Sequence, residues 1–96
     1  MNVLRITRFT AEPSDADEVR KRHAALVAAV RAATPGLIEA RLARLDDRVW
    51  VGVWRWESAA AAAATSSFAP DLPEARAAFA LAGEPTAEEA ELVDAL

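Results

Sequence analysis

The stretch Val49-Trp50-Val51-Gly52-Val53-Trp54-Arg55-Trp56 contains all three tryptophans of the chain and decides how the rest must fold around it. Alternate side chains of a strand share one face. One face of this strand therefore carries the indoles, at Trp50, Trp54 and Trp56, together with Gly52. The opposite face carries Val49, Val51, Val53 and Arg55. Because both faces are apolar, both must be covered, by helices, by a second sheet or by another subunit.

Gly52 leaves a gap on the tryptophan face, between the indoles of Trp50 and Trp54. A flat aromatic molecule fits such a gap, because indole rings pack well against other rings. The alternative is that the three tryptophans only fill a core, which is the commoner use of aromatic residues. The spacing alone leaves both possibilities open.

A strand and an amphipathic helix are predicted before this segment. Residues 3–10 are rich in β-branched residues, which favour a strand. Ser14 or Asp15 can cap the helix that follows, and Thr34-Pro35-Gly36 ends it. The apolar face of this helix carries Val19, His23, Leu26, Val27 and Val30.

A second strand is predicted over residues 37–45, and a tight hairpin at Asp46-Asp47-Arg48 connects it to the tryptophan strand. Ser58 then caps an alanine block over 59–64, and Pro73 opens a further helix. The order strand, helix, strand, strand, helix lacks only a fourth strand to make a ferredoxin-like sheet.

The tail allows two interpretations. A capping box at Thr86-Ala87-Glu88-Glu89 favours a helix as far as Leu96. The alternation of Ala90, Leu92 and Leu96 also fits one face of a strand. The local pattern does not decide between the helix and the strand.

Composition narrows the class of protein. The 96 residues, 53% of them hydrophobic, predict one domain over residues 1–96, and a second copy is a natural source of further burial. The formal net charge of -4 argues against a nucleic-acid partner. The absence of cysteine fits a reducing compartment, and no segment is typical of a membrane span or a signal peptide. We therefore predict a cytoplasmic protein.

The candidate chemical groups are few. His23, the only histidine, lies in the middle of the apolar helix face, where burial would lower its pKa and suit it to act as a general base. The alternative is a structural core histidine. A single histidine without cysteine leaves no His-rich metal site, so we expect no metal. Strand arginines such as Arg41 can anchor a phenolate or carboxylate, or instead pair with nearby Glu39 or Glu57.

Several segments carry a family resemblance: Ile6-Thr7-Arg8-Phe9, Arg22-His23, Thr34-Pro35-Gly36-Leu37 and Val53-Trp54-Arg55-Trp56-Glu57-Ser58. With the element order, they resemble the antibiotic biosynthesis monooxygenase family of dimeric α/β-barrel proteins over nearly the whole chain. The resemblance implies an α+β, ferredoxin-like βαββαβ fold whose antiparallel sheet packs against that of a second copy. It also implies that Glu88 to Asp94 form the fourth strand, against their helical propensity.

The resembled family includes cofactor-independent oxygenases that turn aromatic polyketide phenols into quinones, and relatives that degrade haem. The haem-degrading branch has an Asn on the first strand and a Trp and a His in the second helical region. The corresponding positions here are Thr7 and residues near Thr65 and Ala75, so the resemblance speaks against haem degradation. The match to the quinone-forming branch is incomplete as well, because no full catalytic set is present and the chain has no tyrosine.

Two hypotheses follow. The first is a cofactor-free monooxygenase that uses dioxygen to oxidise an aromatic phenol or hydroquinone. His23, or a water held by Thr7, would remove a proton, and Arg41 would steady the resulting anion. The substrate would stack on Trp54 and on Trp50 or Trp56. The second hypothesis is a non-catalytic homodimer that binds a small molecule or is purely structural, in which the tryptophans pack the barrel between subunits. We further expect the indoles to line the pocket and the valines to help close the dimer.

Overall fold

A computed structural model describes residues 1–96, as four strands and three α-helices. In chain order they are β1 (Val3–Thr10), α1 (Ala16–Ala33), β2 (Leu37–Arg44), β3 (Val49–Trp56), α2 (Ala59–Ser66), α3 (Pro73–Phe79) and β4 (Gly83–Glu91). Because α2 and α3 together occupy the place of one helix, the order is βαββαβ. The predicted ferredoxin-like α+β fold is confirmed. No helix of the protein is both long enough and apolar enough to cross a membrane.

The four strands form one antiparallel sheet in the order β2-β3-β1-β4. Helices cover the indole face of β3. Trp56 packs in a buried cluster with Val27 and Val30 of α1, and Trp50 packs in a second cluster with Val19 of the same helix. The face that carries the valines of β3 therefore lies on the side of the sheet away from the helices.

The start of β2 and the start of α2 approach each other closely. A Cβ atom at Gly36 would lie 2.5 Å from the Cβ of Ala61, so only glycine fits there. The Ser58 hydroxyl accepts a hydrogen bond from the Ala61 backbone N–H at 3.1 Å, which confirms the predicted cap of α2. Ala62 of α2 is buried in the same cluster as Trp56, so α2 packs on the indole face of β3.

A bulge interrupts the pairing of β2 with β3. Leu37 lies opposite Trp56 and Glu39 lies opposite Arg55, so Ile38 is an extra residue in the ladder. A bulge of one residue reverses which later side chains face the helices. The reversal matters for Arg41, which follows the bulge.

The tail is a strand, so the helix favoured by its capping box is wrong. β4 runs from Gly83 to Glu91 and pairs with the edge of β1, and the backbone N–H of Leu92 then donates to the carbonyl of Asn2 at 2.9 Å. The strand begins five residues before the predicted start at Glu88 and ends three residues before Asp94. Backbone pairing along an otherwise open edge of β1 outweighs the local helical propensity.

Candidate functional site

A cavity of about 250 Å³ lies between the sheet and the helices. Thirteen of its twenty lining residues are hydrophobic, and none of the twenty is an aspartate or a glutamate. Helix α1 contributes one face to it, formed by Val19, His23, Leu26 and Val30. An apolar chamber with a few convergent polar groups is the usual form of a small-molecule site.

The sheet side of the cavity is built by neighbouring residues of β1 and β3. Thr7 lies opposite Gly52, and Arg5 lies opposite Trp54. All four line the cavity. A Cβ atom at Gly52 would meet no atom nearer than Trp54 Nε1, at 3.9 Å. The space predicted at this glycine, which we call the Gly52 gap, is therefore open and belongs to the cavity.

His23 and Trp54 form the central polar contact of the cavity. The indole Nε1–H of Trp54 donates a hydrogen bond to His23 Nε2 at 3.1 Å, and the two rings meet edge to face with centroids 5.8 Å apart. Burial lowers the pKa of His23, because the charged imidazolium is poorly solvated there. The imidazole is therefore neutral at neutral pH, as its acceptor role towards the indole also requires.

The three indoles have different surroundings. Trp54 and Trp56 both line the cavity, with ring centroids 6.2 Å apart. Trp56 is only 2% exposed, and its buried Nε1–H has no hydrogen-bond partner. Trp50 lies on the same face but outside the cavity lining: its ring stacks on Phe9 at 6.3 Å, and the Arg44 guanidinium lies over it at 5.1 Å. The structure thus brings two of the three indoles to the site.

The structure does not bring Arg41 to the cavity. After the Ile38 bulge, Arg41 lies opposite Val53 on the face away from the helices, where its side chain is 77% exposed and pairs with Glu39. This pairing is the alternative that the sequence left open. Arg5 is the arginine that lines the cavity, and its guanidinium lies 3.4 Å from Glu89 of β4. The sequence holds a signal for Arg5: as alternate residues of β1, Arg5 and Thr7 share one face, so a prediction of Thr7 at the site also implies Arg5.

Helices α2 and α3 supply small side chains near the two positions at which the resembled haem-degrading branch has a Trp and a His. Thr65 and Ala75 are both buried and both line the cavity. The Thr65 hydroxyl donates to the Ala61 carbonyl at 3.1 Å. Neither side chain can supply the indole or the imidazole of the haem-degrading branch.

Comparison with known proteins bears directly on this arrangement. A family model described as antibiotic biosynthesis monooxygenase matches residues 2–81. The chain belongs to this family. A search of curated protein sequences finds no match.

Solved structures share this fold over almost the whole chain. A mutant of SnoaB, described as a cofactor-independent oxygenase from Streptomyces nogalater, is 25% identical, with a TM-score of 0.79 and coverage of 99% of this chain and 96% of that one. The monooxygenase ActVA-Orf6 of Streptomyces coelicolor, in complex with Nanaomycin D, is 21% identical, with a TM-score of 0.77 and coverage of 99% and 90%. A mutant of MhuD with two manganese protoporphyrin IX molecules per active site is 25% identical, with a TM-score of 0.68 and coverage of 98% and 97%. Proteins of this fold thus bind more than one kind of molecule, so the residues of the site, and not the fold, must indicate the ligand.

Proposed function

We propose that the protein is a cofactor-independent monooxygenase that oxidises a flat aromatic phenol or hydroquinone to a quinone. The observation that carries this proposal is the apolar cavity in which a neutral His23 is the only imidazole and no carboxylate is present. The description of SnoaB as a cofactor-independent oxygenase supports the same class of reaction.

The reaction balances without an added reductant. A phenol and dioxygen give a quinone and water: one oxygen atom enters the ring, the other leaves as water, and the substrate supplies all four electrons. The step asked of the protein is removal of the phenolic proton, because the phenolate is the electron-rich form that reacts with dioxygen. An apolar site between the sheet and the helices favours this chemistry by limiting the contact of bulk water with the reactive anion.

The residues divide this work according to their positions. His23, or a water held by Thr7, takes the proton, and Trp54 and Trp56 pack against the aromatic rings. Trp50 supports the wall from the adjoining core rather than touching substrate. Arg5 replaces Arg41 as the group that steadies the anion, because it is the arginine that lines the cavity.

Turnover of anthrone by the purified protein tests the proposal. We expect oxygen uptake and anthraquinone formation in air, neither under nitrogen, and a fall in kcat of about 10²–10⁴-fold in His23→Ala. Lys21→Ala is the matched control, since Lys21 is an exposed residue of the same helix outside the cavity lining. Equal and negligible oxygen uptake by wild type and His23→Ala would refute the proposal.

We also infer that the protein is a homodimer that pairs through the outer face of the sheet. This face presents Ile6, Val51 and Val53, which are only half-buried in one chain. Stable interfaces bury roughly 800 Å² per partner. Sedimentation is expected to give the mass of two chains, and Val53→Glu is expected to give one chain. A wild-type protein that sediments as one chain at micromolar concentration would contradict the inference.

A further inference from the structure

Trp54 and His23 are hydrogen-bonded to each other inside the cavity. The bond uses the indole N–H of Trp54 and the acceptor nitrogen of His23. The indole Nε1–H is the only donor of Trp54, and Nε2 is the nitrogen that carries the lone pair of His23. Because Nε2 accepts, the proton of the neutral ring is on Nδ1. The cavity therefore presents one donor and one acceptor 3.1 Å apart, joined only to each other.

A hydroxyl group is the ligand group that can satisfy both partners at once. Its oxygen accepts a hydrogen bond, and its O–H donates one. An ether oxygen can only accept, so it would serve Trp54 and leave Nε2 without a donor. A hydrocarbon serves neither group and gains nothing by entering between them.

We propose that Trp54 Nε1–H and His23 Nε2 are the two halves of a recognition site for the hydroxyl of an aromatic ligand. This proposal rests on the proposed function for its choice of cavity and of ligand class. The two nitrogens lie 3.1 Å apart without ligand and must move apart to admit the hydroxyl between them. Its oxygen then accepts from Trp54 and its O–H donates to His23. One protein–protein hydrogen bond is thereby replaced by two protein–ligand bonds.

The other groups around the cavity favour His23 as the acceptor. No aspartate or glutamate lines the cavity, and Arg5 is a donor. The Thr65 hydroxyl already donates to the Ala61 carbonyl. The only other acceptors among the lining side chains are the hydroxyl oxygens of threonine and serine, which accept hydrogen bonds less strongly than imidazole nitrogen.

The same arrangement makes Trp54 a positioning residue for proton removal. When the proton moves, the ligand O–H bond breaks, an N–H bond forms at His23 Nε2, and the electron pair stays on the oxygen. That oxygen still accepts from Trp54 Nε1–H, and a hydrogen bond to an anion is stronger than one to a neutral group. The indole therefore steadies the anion that His23 helps to create.

Matched ligands test the proposal without any turnover. We expect wild-type protein to bind 1-naphthol roughly tenfold more tightly than 1-methoxynaphthalene, which has the same rings without the O–H donor. In His23→Phe this ratio is expected to fall towards one, because the acceptor for the O–H is lost. In Trp54→Phe both ligands are expected to bind more weakly while the ratio is kept, because both oxygens accept from Trp54 Nε1–H. A merely structural role of His23 would weaken both ligands equally and leave the ratio unchanged.

Nuclear magnetic resonance supplies a second readout, because the chain has one histidine and three tryptophans. Trp54→Phe assigns the Trp54 indole N–H signal by its loss. 1-Naphthol is expected to shift this signal and the His23 ring ¹⁵N signals together, and by more than it shifts the other two indoles.

Three results would overturn the proposal: a wild-type ratio near one, a ratio kept in His23→Phe, or unchanged affinity for both ligands in Trp54→Phe. Failure of anthrone turnover with the ratio intact would instead count against the proposed function alone.

Discussion

Replacement of Gly52 by valine is expected to weaken ligand binding on the order of a hundredfold while the protein stays folded and at least as stable. A Cβ at this position meets Trp54 Nε1 at 3.9 Å and the Arg41 carbonyl at 4.0 Å, which are ordinary contacts. Valine also favours strands, whereas glycine inside one costs roughly 0.5–1 kcal/mol. The added methyl groups extend into the Gly52 gap and occupy the space that a flat ring needs.

The expected effect on binding is large. A ring that loses roughly 100 Å² of apolar contact loses about 2.5 kcal/mol. That loss weakens Kd on the order of a hundredfold. Titration calorimetry with 1-naphthol measures the Kd, and thermal unfolding at one fixed protein concentration measures stability.

Two further variants make the result interpretable. Gly52→Ala adds a single methyl group and is expected to weaken binding by less than Gly52→Val. Ala43→Val adds a larger side chain on the outer face of β2, opposite Val51, and is expected to leave binding unchanged. Wild-type affinity in Gly52→Val would show that the ligand does not use the Gly52 gap, and unfolding of this variant would show that the gap is closed in solution.

The sequence predicted the sheet and its faces because alternation in β3 is unbroken. Every second residue from Trp50 to Trp56 faces the helices, as a regular strand requires. Alternation could not predict that Trp54 lines the cavity whereas Trp50 does not. This difference depends on which turn of α1 each indole meets: Trp50 packs against Val19, whereas Trp54 bonds to His23 one turn later.

The placement of Arg41 shows what alternation cannot reveal. Leu37 is buried against Trp56, so an unbroken strand would carry Arg41 to the same face. The extra residue Ile38 reverses the later positions and brings Ala40 opposite Trp54. Nothing in the sequence of β2 marks the bulge, because a bulge is a property of the pairing with β3.

The helical alternative for the tail was wrong for a related reason. Glutamate and alanine in β4 have high helical propensity, but the edge of β1 offers a full ladder of backbone hydrogen bonds. The family resemblance predicted the strand, and the residue pattern alone did not. Propensity is a local quantity, whereas an unpaired strand edge is a property of the assembled sheet.

Trp56→Ala is expected to cause the largest loss of stability of any single substitution in β3. The side chain is 2% exposed and packs against Val27, Val30 and Leu37. Truncation of a buried tryptophan costs about 3–5 kcal/mol. For a domain of this size that loss lowers Tm on the order of 20 °C. Thermal unfolding at fixed chain concentration measures it, since association would make Tm depend on concentration.

Trp56→Phe separates the packing of the ring from the role of its N–H. The buried Nε1–H has no partner, and leaving such a donor unpaired costs about 1–3 kcal/mol. Phenylalanine removes that cost while it keeps most of the apolar ring. We therefore expect Trp56→Phe to retain most of the stability that Trp56→Ala loses. Equal losses in the two variants would show that the N–H, and not the ring, stabilises the core.

Trp54→Ala then decides between a ligand-binding role and a purely structural role of the Trp54 indole. Trp54 is only half-buried and borders the cavity, so its loss is expected to cost less stability than the loss of Trp56. If the indole recognises a ligand, Trp54→Ala stays folded with unchanged oligomeric mass and no longer binds 1-naphthol. If the indole instead packs the barrel between subunits, the variant dissociates or unfolds. Sedimentation measures the oligomeric mass and calorimetry measures binding of 1-naphthol on the same sample. Loss of binding with an unchanged mass supports ligand recognition, whereas loss of the oligomer or of the fold supports the structural role.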